Sequence, residues 1–299
     1  MEQLDGNTTL NSSVCSSDQE SICVDAFDMS SQSIPTQVGY RPMKVIYERP
    51  LSYKRLIRRD NKNVQALTLP RITNYNIRAL FPKISNFALD MKERESDLSF
   101  ITEVWEKKEK KKHQLRLEEL LEIHGIKYIS TPRPGAQRGG GAAIAVRLEH
   151  FSISKLNIPL PRCVEVVWGL LKPKIVTGKI KTIIVCCFYS PPRSRKNQVL
   201  IDHLTVTLQS LLAVHVNAGV IISGDRNSID ISTLLSIDPS LRQSVRHGTR
   251  GEKVLDVICS NLARFFNEPE IIPPIQPDRA GHGVPSDHNG VEAIPNTAH

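Results

Sequence analysis

Gly219-Val220-Ile221-Ile222-Ser223-Gly224-Asp225-Arg226-Asn227 reads as a short apolar strand that stops at a glycine and then presents a carboxylate and a carboxamide. The unbroken run Val220 to Ile222 is the pattern of a strand covered on both faces. Gly224 lets the backbone turn sharply where the strand ends. If the chain stays extended, Asp225 and Asn227 point to one side and Arg226 to the other. Gly-Asp-x-Asn also spells a turn. Taken alone it leaves a turn and a site both open, and partners elsewhere in the chain must decide.

The flanking sequence supplies regular elements. Arg71 to Tyr75 reads as a strand that ends at Asn76, and Lys83 to Glu95 as a helix with Ile84, Phe87, Ala88 and Met91 on one face. Asp97 to Thr102 is a strand that stops at Glu103. A basic run, Lys107 to His113, leads into a helix carrying Leu117, Leu120 and Leu121, which Gly125 can cap. The run suits phosphate contact, a nuclear import signal or a solvated helix start. Tyr128 to Thr131 is a short strand. Gly139-Gly140-Gly141 then opens another, Ala142 to Val146. These glycines lack the Gly-Lys-Ser/Thr of a P-loop, so they fit close backbone packing or a flexible strand entrance.

Strands Phe151 to Leu156, Val164 to Leu171 and Thr182 to Tyr189 follow, separated by Pro and Gly turns in the manner of an antiparallel succession. Asn197 to His215 is an amphipathic helix with Leu200, Ile201, Leu204, Leu208, Leu211 and Leu212 in one stripe. After the Gly-Asp-x-Asn segment come a short helix (Ser228 to Ile237), a strand (Val254 to Cys259) and a Pro-rich loop (Glu270 to Gly283). Ser286-Asp287-His288 and a last strand, Gly290 to Ile294, follow.

The chain has 299 residues, enough for one large domain or two small ones. Hydrophobic residues make up 40% and aromatics 5%, so the core should be mainly aliphatic. No stretch approaches the ~20 apolar residues of a membrane span, and the polar, acidic start is not a secretory signal. The six cysteines (Cys15, Cys23, Cys163, Cys186, Cys187, Cys259) show no Cys-x-x-Cys spacing. They read as free thiols, mostly in the core, with no zinc site. Residues 1–40 carry six acids and no Lys or Arg, a charge of −6, so the net +8 of the chain means +14 on residues 41–299. So basic a body points to a polyanionic partner, with nucleic acid foremost. Residues 1–65 are expected to be a tail or linker, because their Ser/Thr/Asn/Asp-rich composition buries little surface. Within them, Arg41 to Asn63 suits either a basic arm or a connector. Residues 66–299 form the folded domain.

Asn76, Glu103, Tyr189, Asp225 with Asn227, Asp256, and Asp287 with His288 all stand at the ends of apolar strands or inside them. An acid inside Val254-Leu255-Asp256-Val257-Ile258 must be paired if buried. Asn76-Ile77-Arg78, Thr102-Glu103, Tyr189-Ser190-Pro191-Pro192, Gly224-Asp225-Arg226-Asn227, Leu255-Asp256-Val257-Ile258 and Ser286-Asp287-His288 stand in the order of the endonuclease/exonuclease/phosphatase (DNase-I-like) superfamily. The chain resembles that superfamily from about Leu67 to Ile294. Within it, Arg138-Gly139-Gly140-Gly141 and the Tyr-Ser-Pro-Pro turn look most like the endonuclease domain of non-LTR retrotransposon polyproteins.

The resemblance implies an α/β fold, a four-layer sandwich of two mostly antiparallel sheets packed face to face with helices outside. It implies Mg²⁺-dependent phosphodiester hydrolysis, with Mn²⁺ as the alternative ion. Together with the basic charge, DNA is the expected partner; no membrane and no obligate protein partner are expected, and the nucleus is expected rather than the cytoplasm. Glu103 would be the main metal ligand, with Asn76 and Asp287 near the metal. Asp225 or His288 would act as base, with Asp256 fixing the His288 tautomer. Asn227 and Tyr189 would donate to the phosphate. A small-ester phosphatase and a catalytically silent nucleic-acid binder are the competing functions. Arg226 departs from the apolar residue often found there, and no reverse transcriptase region follows. The latter reads as a truncated or domesticated copy.

Overall fold

The computed structural model of the protein describes residues 69–106, 111–134, 139–176, 180–279, 281 and 283–296. The expected tail at 1–65, Cys15, Cys23, Lys107 to Lys110 and Arg138 lie outside the described residues.

In chain order the first half contains β1 (Ile72–Asn76), α1 (Ile84–Glu93), β2 (Leu98–Thr102), α2 (Lys111–Glu122), β3 (Ile126–Thr131), β4 (Ala142–Arg147), β5 (Phe151–Lys155) and β6 (Glu165–Pro173). The second half contains β7 (Ile183–Tyr189), α3 (Asn197–Val214), β8 (Gly219–Asp225), α4 (Ile231–Leu235), β9 (Arg242–Gln243), β10 (Asp256–Ser260), β11 (Glu270–Ile272) and β12 (Gly290–Ala293). Three expectations change. The helix expected from Lys83 begins with a 3₁₀ turn, Phe81–Lys83, because Pro82 favours the first turn. The helix expected from Ser228 shrinks to α4, which starts where the Asp230 carboxylate accepts the Ser232 N–H at 2.8 Å. The Pro-rich loop from Glu270 opens as strand β11, an edge strand too short to show a period.

The strands form two six-stranded sheets, β11-β12-β1-β2-β4-β3 and β5-β6-β7-β8-β10-β9. Pairing is antiparallel except β1 with β2 and β7 with β8. A parallel pair needs a crossover, and these two are carried by α1 and α3. Three apolar clusters lie between four layers. Phe100, Ile144, Val167, Val185 and Ile221 fill the space between the sheets. Phe87, Met91, Leu117 and Leu121 pack the first sheet against α1 and α2. Trp168, Cys186, Leu204 and Leu208 pack the second against α3. The four-layer sandwich is thus the observed architecture. Cys186, Cys187 and Cys259 are buried free thiols, and burial holds Cys187 and Cys259 neutral by pushing them up to about 12. No described helix is long and apolar enough to cross a membrane.

Candidate active site

The two crossover units end on the same edge of the sandwich. In the first, β1 ends at Asn76 and β2 delivers Glu103. In the second, β7 ends at Tyr189 and β8 at Asp225, which are register partners. Asp256 opens β10 directly opposite Asp225. The loop before β12 adds His288. Seven of the eight residues singled out in the sequence therefore meet in one place.

Their contacts form one network. The Asn76 amide gives one N–H to Asp225 Oδ2 at 3.0 Å and the other to Glu103 Oε1 at 3.3 Å. The Tyr189 hydroxyl donates to Glu103 Oε1 at 2.9 Å, and the Trp105 indole to Oε2 at 3.2 Å. Asp225 Oδ1 accepts the Asn227 N–H at 3.0 Å, while the Asn227 side chain donates to the Ser190 carbonyl at 2.8 Å. His288 Nδ1 lies 2.8 Å from Asp256 Oδ2. Ligand-type atoms of Asp225, Asp256 and His288 all fall within 4.8 Å of one another.

The loops that carry these groups are strained in a consistent way. Arg78, Ala79, Glu103, Trp105 and Asn227 have φ between +41° and +74°. Left-handed backbone at such residues costs about 1–3 kcal/mol each and persists only where surroundings impose it. Here Ala79 N donates to the Glu103 carbonyl at 2.8 Å and Leu80 N to Val104 at 3.3 Å, so the post-strand loops lock each other. The triple glycine serves the same edge. All three residues have positive φ, Trp105 N donates to the Gly140 carbonyl at 2.9 Å, and Gly141 N donates to the buried Glu165 carboxylate. Glu165 in turn holds Arg133 at 2.7 Å, whose guanidinium lies 5.6 Å above the Tyr189 ring.

Electrostatics follow from burial. Asp225 and Asp256 are fully buried and His288 is 4% exposed. Burial, then the Asp256 charge, pushes the Asp225 carboxyl well above its usual range, against the opposing pull of His288, the Asn227 N–H and the Asn76 amide. For His288, burial works against the imidazolium, but the Asp256 hydrogen bond and charge outweigh it and hold the group above its ordinary value. Burial and Glu103 keep the Tyr189 phenol protonated. Asp256 Oδ1 is buried with no hydrogen-bond partner.

Some residues behave differently from the sequence-based expectation. Asp287 is half-exposed, and its carboxylate pairs with Arg250 on the rim. Arg226 is a staple: its Nε donates to Val254 O at 3.0 Å, Nη1 to Ile229 O, and its backbone N–H to Leu255 O at 2.9 Å. It ties the Asp225 turn to the segment leading into Asp256. Sequence reading missed Thr249, whose hydroxyl accepts the N–H groups of Leu255 and Asp256, both at 3.1 Å. It also gave no role to Ser286, which donates to the Asn76 carbonyl at 2.6 Å and accepts the His288 N–H at 3.1 Å. The Ser-x-His spacing is the local signal for that second bond.

Lys83 was also missed. It is fully buried, and its ammonium donates to the Ile77 and Arg78 carbonyls just beyond Asn76. Burial, then Arg78, lowers it to about 8 from the ordinary 10.5, against the pull of Glu103. Between these values the unfolded chain binds the proton and the folded chain does not, so this group makes stability rise with pH across that window. The rise is worth roughly 3 kcal/mol at most. Denaturant titrations of wild type and Lys83→Met from pH 7.5 to 10.5 should show the wild-type curve gaining on the variant. Parallel curves would remove the lysine from the account.

No family model matches the sequence, and no curated protein matches it. Solved structures do. The human Nocturnin catalytic domain with bound sulfate superposes with a TM-score of 0.54 at 13% identity, covering 77% of this chain and 95% of that one. The Neisseria 3′ phosphatase NExo bound to product DNA hairpin gives 0.53 at 15%, over 76% and 100%. An endonuclease/exonuclease/phosphatase family protein from Bacteroides thetaiotaomicron gives 0.51 at 18%, over 75% and 96%. The sandwich that gathers Asn76, Glu103, Asp225 and His288 on one edge is the endonuclease/exonuclease/phosphatase, or DNase-I-like, fold.

Proposed function

We propose that the chain is a metal-dependent phosphodiester hydrolase acting on DNA as a nicking endonuclease. The observation that carries this reading is the single network joining Asn76, Glu103, Tyr189, Asp225, Asn227, Asp256 and His288. Buried carboxylates beside a carboxylate-fixed histidine suit proton transfer and charge stabilisation. The +14 on residues 41–299 supports a polyanionic substrate. The Tyr189-Ser190-Pro191-Pro192 turn and the triple glycine support a retrotransposon-type endonuclease, with the nucleus as its place of work.

The donor set fits a hard cation such as Mg²⁺. Glu103 offers a carboxylate, and Asn76 spends both amide N–H groups on acids, which leaves its carbonyl oxygen as an acceptor. Asp287, expected near the metal, stands on the rim with its carboxylate held by Arg250 and is not part of this donor set. When bound, the ion neutralises phosphate charge and supports the leaving oxyanion. Tyr189 gives its one proton to Glu103 and so orients that carboxylate. Asp225, a buried and therefore more basic carboxylate, takes the proton of the attacking water. His288, fixed through Nδ1 by Asp256, presents Nε2 to the phosphate. Asn227 keeps one amide N–H for a phosphate oxygen as charge builds.

Supercoiled plasmid with Mg²⁺ tests the reading, alongside Asp225→Ala and His288→Ala. Nicking by wild type alone is the expected result. DNA binding without nicking would replace the reading with a silent binder. Phosphate release from small esters without nicking would replace it with a phosphatase. Glu103→Ala should shift the Mg²⁺ dependence of nicking to higher concentration, and an unshifted curve would take Glu103 out of the metal site.

A further inference from the structure

Lys83 stands at the metal end of the site and has no task in the chemistry above. Its neighbours along the chain, Leu80, Ile84 and Phe87, are core residues, and Lys83 itself has no exposed surface. A buried ammonium is costly unless its N–H groups find acceptors. Here they find the main-chain carbonyls of Ile77 and, at 3.4 Å, of Arg78. The side chain therefore folds back from the 3₁₀ turn onto the loop that joins β1 to α1.

That loop is held through both kinds of main-chain group. The Ser286 hydroxyl donates to the main-chain carbonyl of Asn76 at 2.6 Å, so the consecutive carbonyls of Asn76, Ile77 and Arg78 all accept from side chains. The amides are spent on the neighbouring loop. Ile77 N donates to Thr102 O at 2.9 Å, Ala79 N to Glu103 O at 2.8 Å and Leu80 N to Val104 O at 3.3 Å. Left-handed backbone at Arg78 and Ala79 persists only under such constraint. The amides thus tie the Asn76 loop to the Glu103 loop, and the ammonium fixes the peptide planes that carry them. Glu103 also favours the charged form of Lys83, which puts the two groups within electrostatic reach.

Resting on the reading above, we propose that Lys83 is a positioning residue for the divalent cation. Its ammonium clamps the Ile77–Leu80 loop, so that the side-chain oxygen of Asn76 and the Glu103 carboxylate are held at a fixed separation. Two effects of the ammonium oppose each other. As a clamp it favours the metal, and as a positive charge near Glu103 it disfavours it. The clamp prevails, because the charge is already met by two carbonyl dipoles and by Glu103. Outer hydrogen bonds that orient ligands are worth about 10–100-fold in metal affinity. The sign of the change on removing Lys83 therefore separates the two effects.

Mn²⁺ is the probe, because the paramagnetic resonance of the free ion measures binding without turnover. Lys83→Met should weaken Mn²⁺ binding by about 10–100-fold, leave metal-free DNA binding unchanged, and lose nicking that returns at raised Mg²⁺. Amide exchange should quicken at Ile77, Ala79 and Leu80 and stay unchanged in β7. Lys83→Gln, which keeps neutral N–H donors, should lose less on every measure and supplies the test where Lys83→Met does not fold. Met91→Ala, which removes core packing from α1, should lose stability and keep its Mn²⁺ affinity. Unchanged or tighter Mn²⁺ binding in folded Lys83→Met or Lys83→Gln would overturn the proposal and leave the endonuclease reading intact. An equal loss of Mn²⁺ affinity in Met91→Ala would do the same. Wild type that neither binds Mn²⁺ nor nicks DNA would overturn both.

Discussion

Gly224→Ala is expected to cost several kcal/mol of stability and to abolish the site with it. A methyl group at this position would stand 1.9 Å from the Phe188 carbonyl oxygen, a backbone atom of the neighbouring strand. Gly224 is paired on both sides, with Phe188 in β7 and Val257 in β10. Neither neighbour can yield without opening a central ladder. The backbone also sits at φ +154°, where a side chain adds strain. Overpacking costs about 1–3 kcal/mol and a sparsely populated conformation about 1–3 more. Against a total of about 5–15 kcal/mol for a typical domain, that is a large fraction. Urea unfolding should show the midpoint falling steeply. A midpoint within error of wild type would mean that β7 and β8 are not held as described.

Asp225→Asn should separate catalysis from stability in the opposite sense. Loss of a general base typically removes about 10²–10⁴ of the rate, so nicking should fall by that range. The fold should survive. Wild type holds Asp225 and Asp256 opposite each other in the interior, and burial with the Asp256 charge disfavours the Asp225 carboxylate. An asparagine removes one of those charges. It also turns one of the two acceptors facing Asn76 and Asn227 into a donor, which costs about 1–3 kcal/mol. The two effects offset, and the melting temperature should change by only a few degrees. A variant that keeps wild-type nicking would exclude Asp225 as the base. A variant that unfolds would make its role structural.

The opening strand shows how far sequence carried the structure. Val220 to Ile222 announced a doubly covered strand because both faces had to be apolar, and β8 is buried throughout. The choice between turn and site for Gly-Asp-x-Asn dissolves in three dimensions. Asp225 Oδ1 closes a turn on the Asn227 N–H, while Oδ2 faces Asn76 from the other sheet. Asn227 is not extended, and it reaches the site by left-handed backbone. The strand-end acids and amides were legible because polar groups rarely interrupt apolar runs without a partner. Arg226, Lys83 and Glu165 were not legible. Their partners are main-chain groups or residues brought close only by packing, and the side chains themselves look like ordinary surface charges. Strands β9 and β11 were hidden for a different reason: two or three residues carry no period.

The placement of β12 governs when during synthesis the site can exist. Asn76, the first site residue made, shares its network with residues made up to His288, and β12 pairs with β1 across more than two hundred residues. A ribosome-bound chain that has completed both crossover units already holds Asn76, Glu103, Tyr189 and Asp225. It lacks the histidine and the Ser286 contact that fastens the Asn76 carbonyl. Since chains fold as they emerge, the network of Asn76, Asp225, Asp256 and His288 stays incomplete until β12 threads between β11 and β1. The order of the strands thus acts as a timer, which completes the candidate site only after almost all of the described fold is in place.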